Sequence, residues 1–226
     1  MIMSSFVPMP RTVCFRRYSP LSKMRTTRRR QLKRGFSLLE MMTVVSISLI
    51  VGSIGFVLGA SIVRTIRLSG TSTSYANLLQ TARIRAVQDD RYYSVVSVPA
   101  ANPPMAFVDI SGNGLYDAGE PMIVFAQGVN VQPYASGPSV GNLKSQFLPP
   151  NPLAQNSVQT AIPPTFGPRG LPCAPSAGAC LYVPPASFIT FLQNTGNGKW
   201  EAVTVTPAGR VNLWIYDGTS SWSSLN

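Results

Sequence analysis

Apolar residues run from residue 36 to residue 63, and a single charged residue, Glu40, interrupts them. The uncharged part of this run, residues 41–63, is long enough to cross a bilayer, which requires about 20 apolar residues in a helix. Arg64 and Arg67 follow directly. The pattern therefore predicts a transmembrane helix over residues 36–63.

A helical spacing of apolar residues resumes after a polar stretch at residues 69–74. One stripe is formed by Tyr75, Leu78 or Leu79, Ala82 and Ala86. This pattern predicts that the helix continues over residues 64–90 as an amphipathic helix, with its apolar stripe packed on a sheet. The polar stretch is expected to be its weakest part.

Short β-like runs separated by Gly, Pro, Asn and Ser fill the chain after residue 90. The predicted strands lie at 92–98, 105–110, 122–126, 187–192, 200–206 and 210–216. Twelve prolines between residues 130 and 185 predict mostly irregular loops there. The expected fold class is α+β: a long N-terminal helix, first transmembrane and then amphipathic, packed on an antiparallel β-sheet head over residues 91–226.

Positive charge is concentrated at the N-terminus. The net charge is +11, and ten of the 19 lysines and arginines lie in residues 1–35, which contain no acid. The rest of the chain is nearly neutral, so its charge does not indicate a nucleic-acid partner. Because basic residues stay on the cytoplasmic side, we expect a cytoplasmic N-terminus and an exported head.

Glu40 requires an explanation, because a carboxylate in a membrane segment is costly and normally has a partner. A cleaved signal peptide has a much shorter apolar core, and a plain membrane anchor does not account for the carboxylate. Residues 33–40, KRGFSLLE, resemble the prepilin cleavage motif of type IV pilins and type II secretion pseudopilins.

This resemblance implies a precursor that an inner-membrane prepilin peptidase cuts after Gly35. The same enzyme would methylate the new N-terminal amine of Phe36. The ammonium group at Phe36 could then pair with Glu40 of a neighbouring subunit, which offsets the desolvation of both charges. Residues 1–35 would be the leader, and a start at Met24 would give a shorter one.

Further along the chain, the segments TFGPRGLP and VTVTPAGRVNLW resemble the GspH/FimT family of minor pilins and pseudopilins. The resemblance implies a structural subunit of a type IV pilus or a type II secretion pseudopilus, assembled with other pilins at the bacterial inner membrane, with a periplasmic head. The alternative is a FimT-like minor pilin that binds DNA during uptake. Arg210 lies in this C-terminal motif without a second arginine, so we interpret it as structural and regard a DNA partner as the weaker hypothesis.

A loop in the head, DISGNGLYDAGE, has oxygen-bearing side chains at the spacing of an EF-hand calcium loop. The candidate ligands are Asp109, Ser111, Asn113, Asp117 and Glu120. Its flanks resemble strands, however, so a hairpin loop whose polar side chains bind their own backbone is the alternative. Apart from this calcium hypothesis, no cofactor is expected.

Cys173 and Cys180 lie close enough in sequence to close a small disulfide loop in an exported head; two free thiols are the alternative. The chain has no histidine, which removes the commonest general base. It also lacks a nucleophile elbow and a phosphate loop. We therefore do not expect an enzyme.

Overall fold

The structure is a computed structural model that describes residues 36–141, 143, 158–159, 163–176, 179–182 and 186–225. Side chains at 54–58, 134, 158–159, 175–176 and 179 lie outside that description. The chain divides into two compact units, Met1–Ser46 and Ile47–Asn226. Both hydrophobic cores lie in the second unit.

One helix, α1, runs over Leu38–Gln88. The polar stretch at 69–74 does not interrupt it. Each hydroxyl from Thr71 to Ser74 donates to the carbonyl four residues earlier. Thr71 and Ser72 are buried. The expectation that this stretch is the weakest part of the helix stays a prediction.

The described residues of the head form twelve strands. They are β1 (Tyr93–Val98), β2 (Met105–Asp109), β3 (Met122–Val124), β4 (Val129–Gln132), β5 (Val158–Gln159), β6 (Thr165–Phe166), β7 (Ala174–Ser176), β8 (Ala179–Leu181), β9 (Ser187–Asn194), β10 (Trp200–Val205), β11 (Val211–Tyr216) and β12 (Trp222–Ser224). All six strands predicted from the sequence are present. The described part of 130–185 contains short strands and a 3₁₀ turn, Tyr134–Ser136.

The strands form two main sheets, where the sequence had suggested one. The first has the order β3-β2-β1-β6, and the second has the order β12-β11-β10-β9-β4. Strand β5 pairs in parallel with the start of β9, whereas β4 pairs antiparallel with its end. The remaining strands, β7 and β8, form a hairpin. The α+β class with a helix packed on antiparallel sheets is confirmed.

The main core lies where α1 meets both sheets. The predicted stripe is buried completely, and it packs with residues of β1, β2, β9 and β10. Its central members are Tyr75, Leu79, Ala82, Val95, Val108, Phe188, Leu192 and Val203. A second core on the other face of the larger sheet contains Phe191, Trp214 and Trp222. Because β9 has a core on both faces, its buried residues do not alternate with exposed ones.

Two arginines attach the packed part of α1 to loops of the head. Arg83 donates through Nε to the Gly170 carbonyl (2.8 Å) and through Nη1 to the Gly209 carbonyl (3.0 Å). Arg64 donates to the Gly196 carbonyl (2.8 Å). The loops of the two C-terminal motifs, around Gly170 and Gly209, thus meet at one guanidinium group.

Candidate functional site

The described part of the candidate processing segment, residues 33–40, begins at Phe36. The Phe36 side chain is exposed. Gly35, the residue before the predicted cleavage point, and the whole predicted leader lie outside the described residues. Helix α1 begins at Leu38, and the Met41 amide donates to the Ser37 carbonyl (3.1 Å). Cleavage after Gly35 would therefore leave two residues before the helix.

Glu40 occupies the third position of α1, and Ser37 occupies the N-cap position. A serine followed three residues later by glutamate is the capping-box pattern, and a carboxylate in the first turn is favourable to the helix dipole. Glu40 thus has a local structural role available besides an ion pair between subunits. This role was not predicted from the sequence, although the spacing of Ser37 and Glu40 indicates it.

The first third of α1 exposes large apolar side chains on all sides. They are Leu38, Leu39, Met41, Met42, Val44, Val45, Ile47, Leu49, Ile50 and Val51. The hydroxyls of Thr43, Ser46 and Ser53 donate to carbonyls three or four residues earlier in the helix. A helix of this kind is typical of burial in lipid or among other helices, because its polar groups are satisfied internally.

In the part of the chain that the structure describes, no helix has the length and apolarity needed to cross a membrane. The transmembrane helix over residues 36–63 stays a prediction.

Residues 30–56 match the family model of the prokaryotic N-terminal methylation motif. The match includes the predicted cleavage point, the predicted methylation site at Phe36, Glu40 and the beginning of the apolar helix. This chain carries a prokaryotic N-terminal methylation motif. The resemblance of residues 33–40 to the prepilin motif is thereby confirmed, while the individual roles of Gly35, Phe36 and Glu40 stay predictions.

Two solved structures are similar to the chain that carries this methylation motif. The type IV minor pilin FimU of Pseudomonas aeruginosa is 16% identical, with a TM-score of 0.43, and the similarity covers 70% of this chain and 95% of FimU. The minor pseudopilin EpsH from the type 2 secretion system of Vibrio cholerae is 10% identical, with a TM-score of 0.38, and the similarity covers 66% of this chain and 97% of EpsH. No curated protein matches the chain.

Cys173 and Cys180 form a disulfide in the structure, with their Cα atoms 5.3 Å apart, inside the usual range for a bridge. Both lie at the β7–β8 hairpin, where Pro175 pairs with Cys180. The oxidation state in the cell stays a prediction, and mass mapping of the protein without reduction would test it.

The predicted calcium loop connects β2 to β3. Asp109 accepts hydrogen bonds from the amides of Gly112, Asn113 and Gly114. Glu120 accepts from the amides of Ile110 and Asp117. The carboxylates thus bind the loop's own backbone, as in the hairpin alternative.

Within the described residues, no group of three or more acidic, cysteine or histidine side chains could hold a metal ion. Ser111 donates to Asp109, and the Asn113 amide group donates to Asp117. Calcium at this loop remains a prediction. Thermal unfolding with and without millimolar calcium would test it, and an unchanged midpoint would contradict it.

Arg210 lies in the turn between β10 and β11, and its backbone closes that turn. Its amide donates to the Thr206 hydroxyl (3.1 Å), and its carbonyl accepts from the Thr206 amide (2.9 Å). A tight turn at this position also requires Gly209, whose φ is 78°. These contacts are those of a residue in a structural turn.

An ionisable residue in the core, Glu201, was not predicted from the sequence; it is 2% exposed. Glu201 lies on the same face of β10 as Val203 and Val205, so the alternation along the strand indicates its inward position. Burial raises the pKa of its carboxyl group, while nearby Ser72 and Lys199 act in the opposite direction. This carboxyl group therefore lies beside the small-residue stretch of α1.

Proposed function

We propose that the chain is a minor pilin or minor pseudopilin of the GspH/FimT kind, a structural subunit of a type IV pilus or a type II secretion pseudopilus. A prepilin peptidase cuts the precursor between Gly35 and Phe36 and methylates Phe36. The mature subunit then assembles with other pilins through the first third of α1.

The observation that supports this proposal most is the combination of the methylation motif with an exposed apolar helix. Large apolar side chains surround the helix at residues 38–51. Exposure of such a surface to water is unfavourable, so lipid or other helices are expected to cover it. A membrane accommodates the subunit before assembly, and neighbouring helices accommodate it afterwards.

Glu40 would supply the specific contact in this assembly. Cleavage creates an ammonium group at Phe36, and Glu40 of an adjacent subunit pairs with it in an apolar environment, where both charges need a partner. The carboxylate also suits the first turn of α1. In the precursor, the basic leader remains cytoplasmic and the head is placed in the periplasm.

Co-expression of the full chain with a prepilin peptidase tests the processing step. We expect mass spectrometry to show a shorter chain that begins at a methylated Phe36. A variant in which Gly35 is replaced by leucine should stay at full length, because the peptidase requires glycine before the cut. A full-length wild-type chain after co-expression, with a control prepilin processed in the same cells, would contradict the proposal.

A further inference from the structure

A cavity of about 610 Å³ opens in the head where α1 ends. Its walls are formed by residues 90–93 after the helix, residues 110–112 in the loop after β2, the loop after β6, and residues 180 and 182 at the end of the β7–β8 hairpin. The volume lies within the roughly 300–1,000 Å³ that is common for ligand sites. The lining also includes Ser111 of the predicted calcium loop and Cys180 of the disulfide.

The end of α1 brings an arginine to the cavity by a defined turn. Asp90 adopts a left-handed backbone conformation with a φ of 51°. The amide of Arg91 donates to the Ala86 carbonyl (3.2 Å), which closes a Schellman motif. Glycine is the usual residue at the left-handed position of this motif, so the backbone conformation of Asp90 costs free energy. Asp90 and Arg91 both line the cavity.

A second arginine, Arg169, also lines the cavity and comes from the loop after β6. The Arg169 guanidinium carbon lies 5.4 Å from the centre of the Tyr182 ring. Stacking uses the face of a guanidinium group, while its N–H groups lie in the plane and can donate to a carboxylate. Gly167 makes room for this arrangement, because a Cβ atom there would collide with the Tyr182 hydroxyl.

Aromatic rings supply the apolar part of the walls. Tyr92 is 40% exposed, and Tyr93 is buried. The Tyr93 hydroxyl donates a hydrogen bond to the Asp89 carboxylate (2.9 Å). Asp89 itself is not one of the lining residues. Among the described lining residues, the charged groups are Arg91, Arg169 and Asp90, so positive charge predominates.

We propose that this cavity binds an acidic peptide segment of a partner protein: Arg91 and Arg169 bind a carboxylate, and apolar side chains of the segment lie against Tyr92 and Tyr182. Guanidinium groups bind carboxylates in bidentate geometry, and tyrosine provides broad contact area at a small entropic cost. The proposal does not depend on filament assembly.

A nucleic acid fits these observations less well. Binding a phosphate backbone requires several clustered cations along a strand. Here one acid, Asp90, accompanies two arginines, and the chain after residue 35 has nine basic and eight acidic residues. A cavity lined by two arginines and one acid is better matched to one or two carboxylates.

The test uses the full chain in detergent and a fluorescent, acetylated pentapeptide that alternates glutamate with phenylalanine. A matched peptide contains glutamine in place of glutamate. We expect fluorescence anisotropy to show binding of the acidic peptide, and the glutamine peptide should bind at least about 10-fold more weakly, because charged hydrogen bonds are lost.

The variants Arg169→Gln and Arg91→Gln should each weaken binding of the acidic peptide about 10-fold. Arg169→Lys, which keeps the charge but loses the planar fork, should fall between wild type and Arg169→Gln. Arg210→Gln is the matched control, because Arg210 is exposed and lies outside the cavity, and it should leave binding unchanged. Equal thermal midpoints of the variants would show that the fold is preserved.

Three outcomes would overturn the proposal. The first is no binding of the acidic peptide at millimolar concentration. The second is equal binding of the glutamine peptide, or insensitivity to both Arg91→Gln and Arg169→Gln. The third is a single-stranded oligonucleotide of equal charge that binds more tightly than the peptide and depends on the same two arginines, which would assign the cavity to nucleic acid.

Discussion

The first and the later parts of α1 share one continuous helix but differ completely in exposure. Leu49 is 70% exposed, whereas Leu79 is 0% exposed. In residues 38–51 large apolar side chains face every direction, and in residues 68–86 a single stripe with small neighbours packs on two sheets. Both parts are helical, so the side-chain pattern alone separates an exposed apolar surface from a surface that packs on this chain's own head.

The largest expected effect is a loss of filament assembly on a substitution in the exposed first part of α1. Glu40→Gln should be cut after Gly35 as in wild type but should assemble poorly. Glutamine also suits a capping box, so this variant preserves the helix start and removes the charge that would pair with the Phe36 ammonium. Peptidase cleavage and filament incorporation are measured separately in the same cells. Normal incorporation would show that Glu40 serves the helix start rather than an ion pair.

Leu49 and Leu79 form a matched pair that tests the difference in burial between the two parts of α1. Leu79→Ala should lower the free energy of unfolding of the head by about 2–5 kcal/mol, because it leaves a cavity in the main core. Leu49→Ala should leave that stability within about 0.5 kcal/mol, since its side chain is outside the core. Denaturant unfolding followed by tryptophan fluorescence measures both, and equal losses would contradict the comparison.

A smaller effect is expected at the arginine that joins α1 to two loops. Arg83→Met should destabilise the head by about 1–3 kcal/mol, because the Gly170 and Gly209 carbonyls lose a charged donor. Arg67→Met is the control, since Arg67 makes a single long contact (3.5 Å) to Gln127 at the surface. If both variants unfold at the same denaturant concentration as wild type, the contact of Arg83 does not stabilise the packed part.

The smallest effect is a pH dependence at Glu201. Because burial raises its folded-state pKa, the folded chain binds this proton more tightly than the unfolded chain. The resulting stabilisation is complete below the ordinary glutamate pKa and is lost as the pH rises through the raised value. Glu201→Gln should remove this pH-dependent part of the free energy of unfolding. Unfolding titrations from pH 4 upward, compared between wild type and variant, test it; parallel curves would contradict it.

Much of the fold was predictable from periodicity. The stripe at Tyr75, Leu79, Ala82 and Ala86 is buried as its spacing indicates, and six strands occur where β-like runs predict them. The division of the strands between two sheets was not predictable, because strand pairing depends on contacts between distant segments. Strand β9 illustrates this: β10, β4 and β5 all pair with it, from three separate parts of the chain.

The amino-acid sequence by itself determined the methylation motif, the apolar run behind it and the helical and strand periods. These are local patterns of neighbouring residues, which depend on backbone geometry and side-chain polarity alone. Only the tertiary structure placed Glu201 beside Ser72, joined two distant loops at Arg83, and brought Arg91 and Arg169 to one cavity. Such groups meet because long-range burial of apolar surface brings their elements together, and no local spacing encodes that meeting.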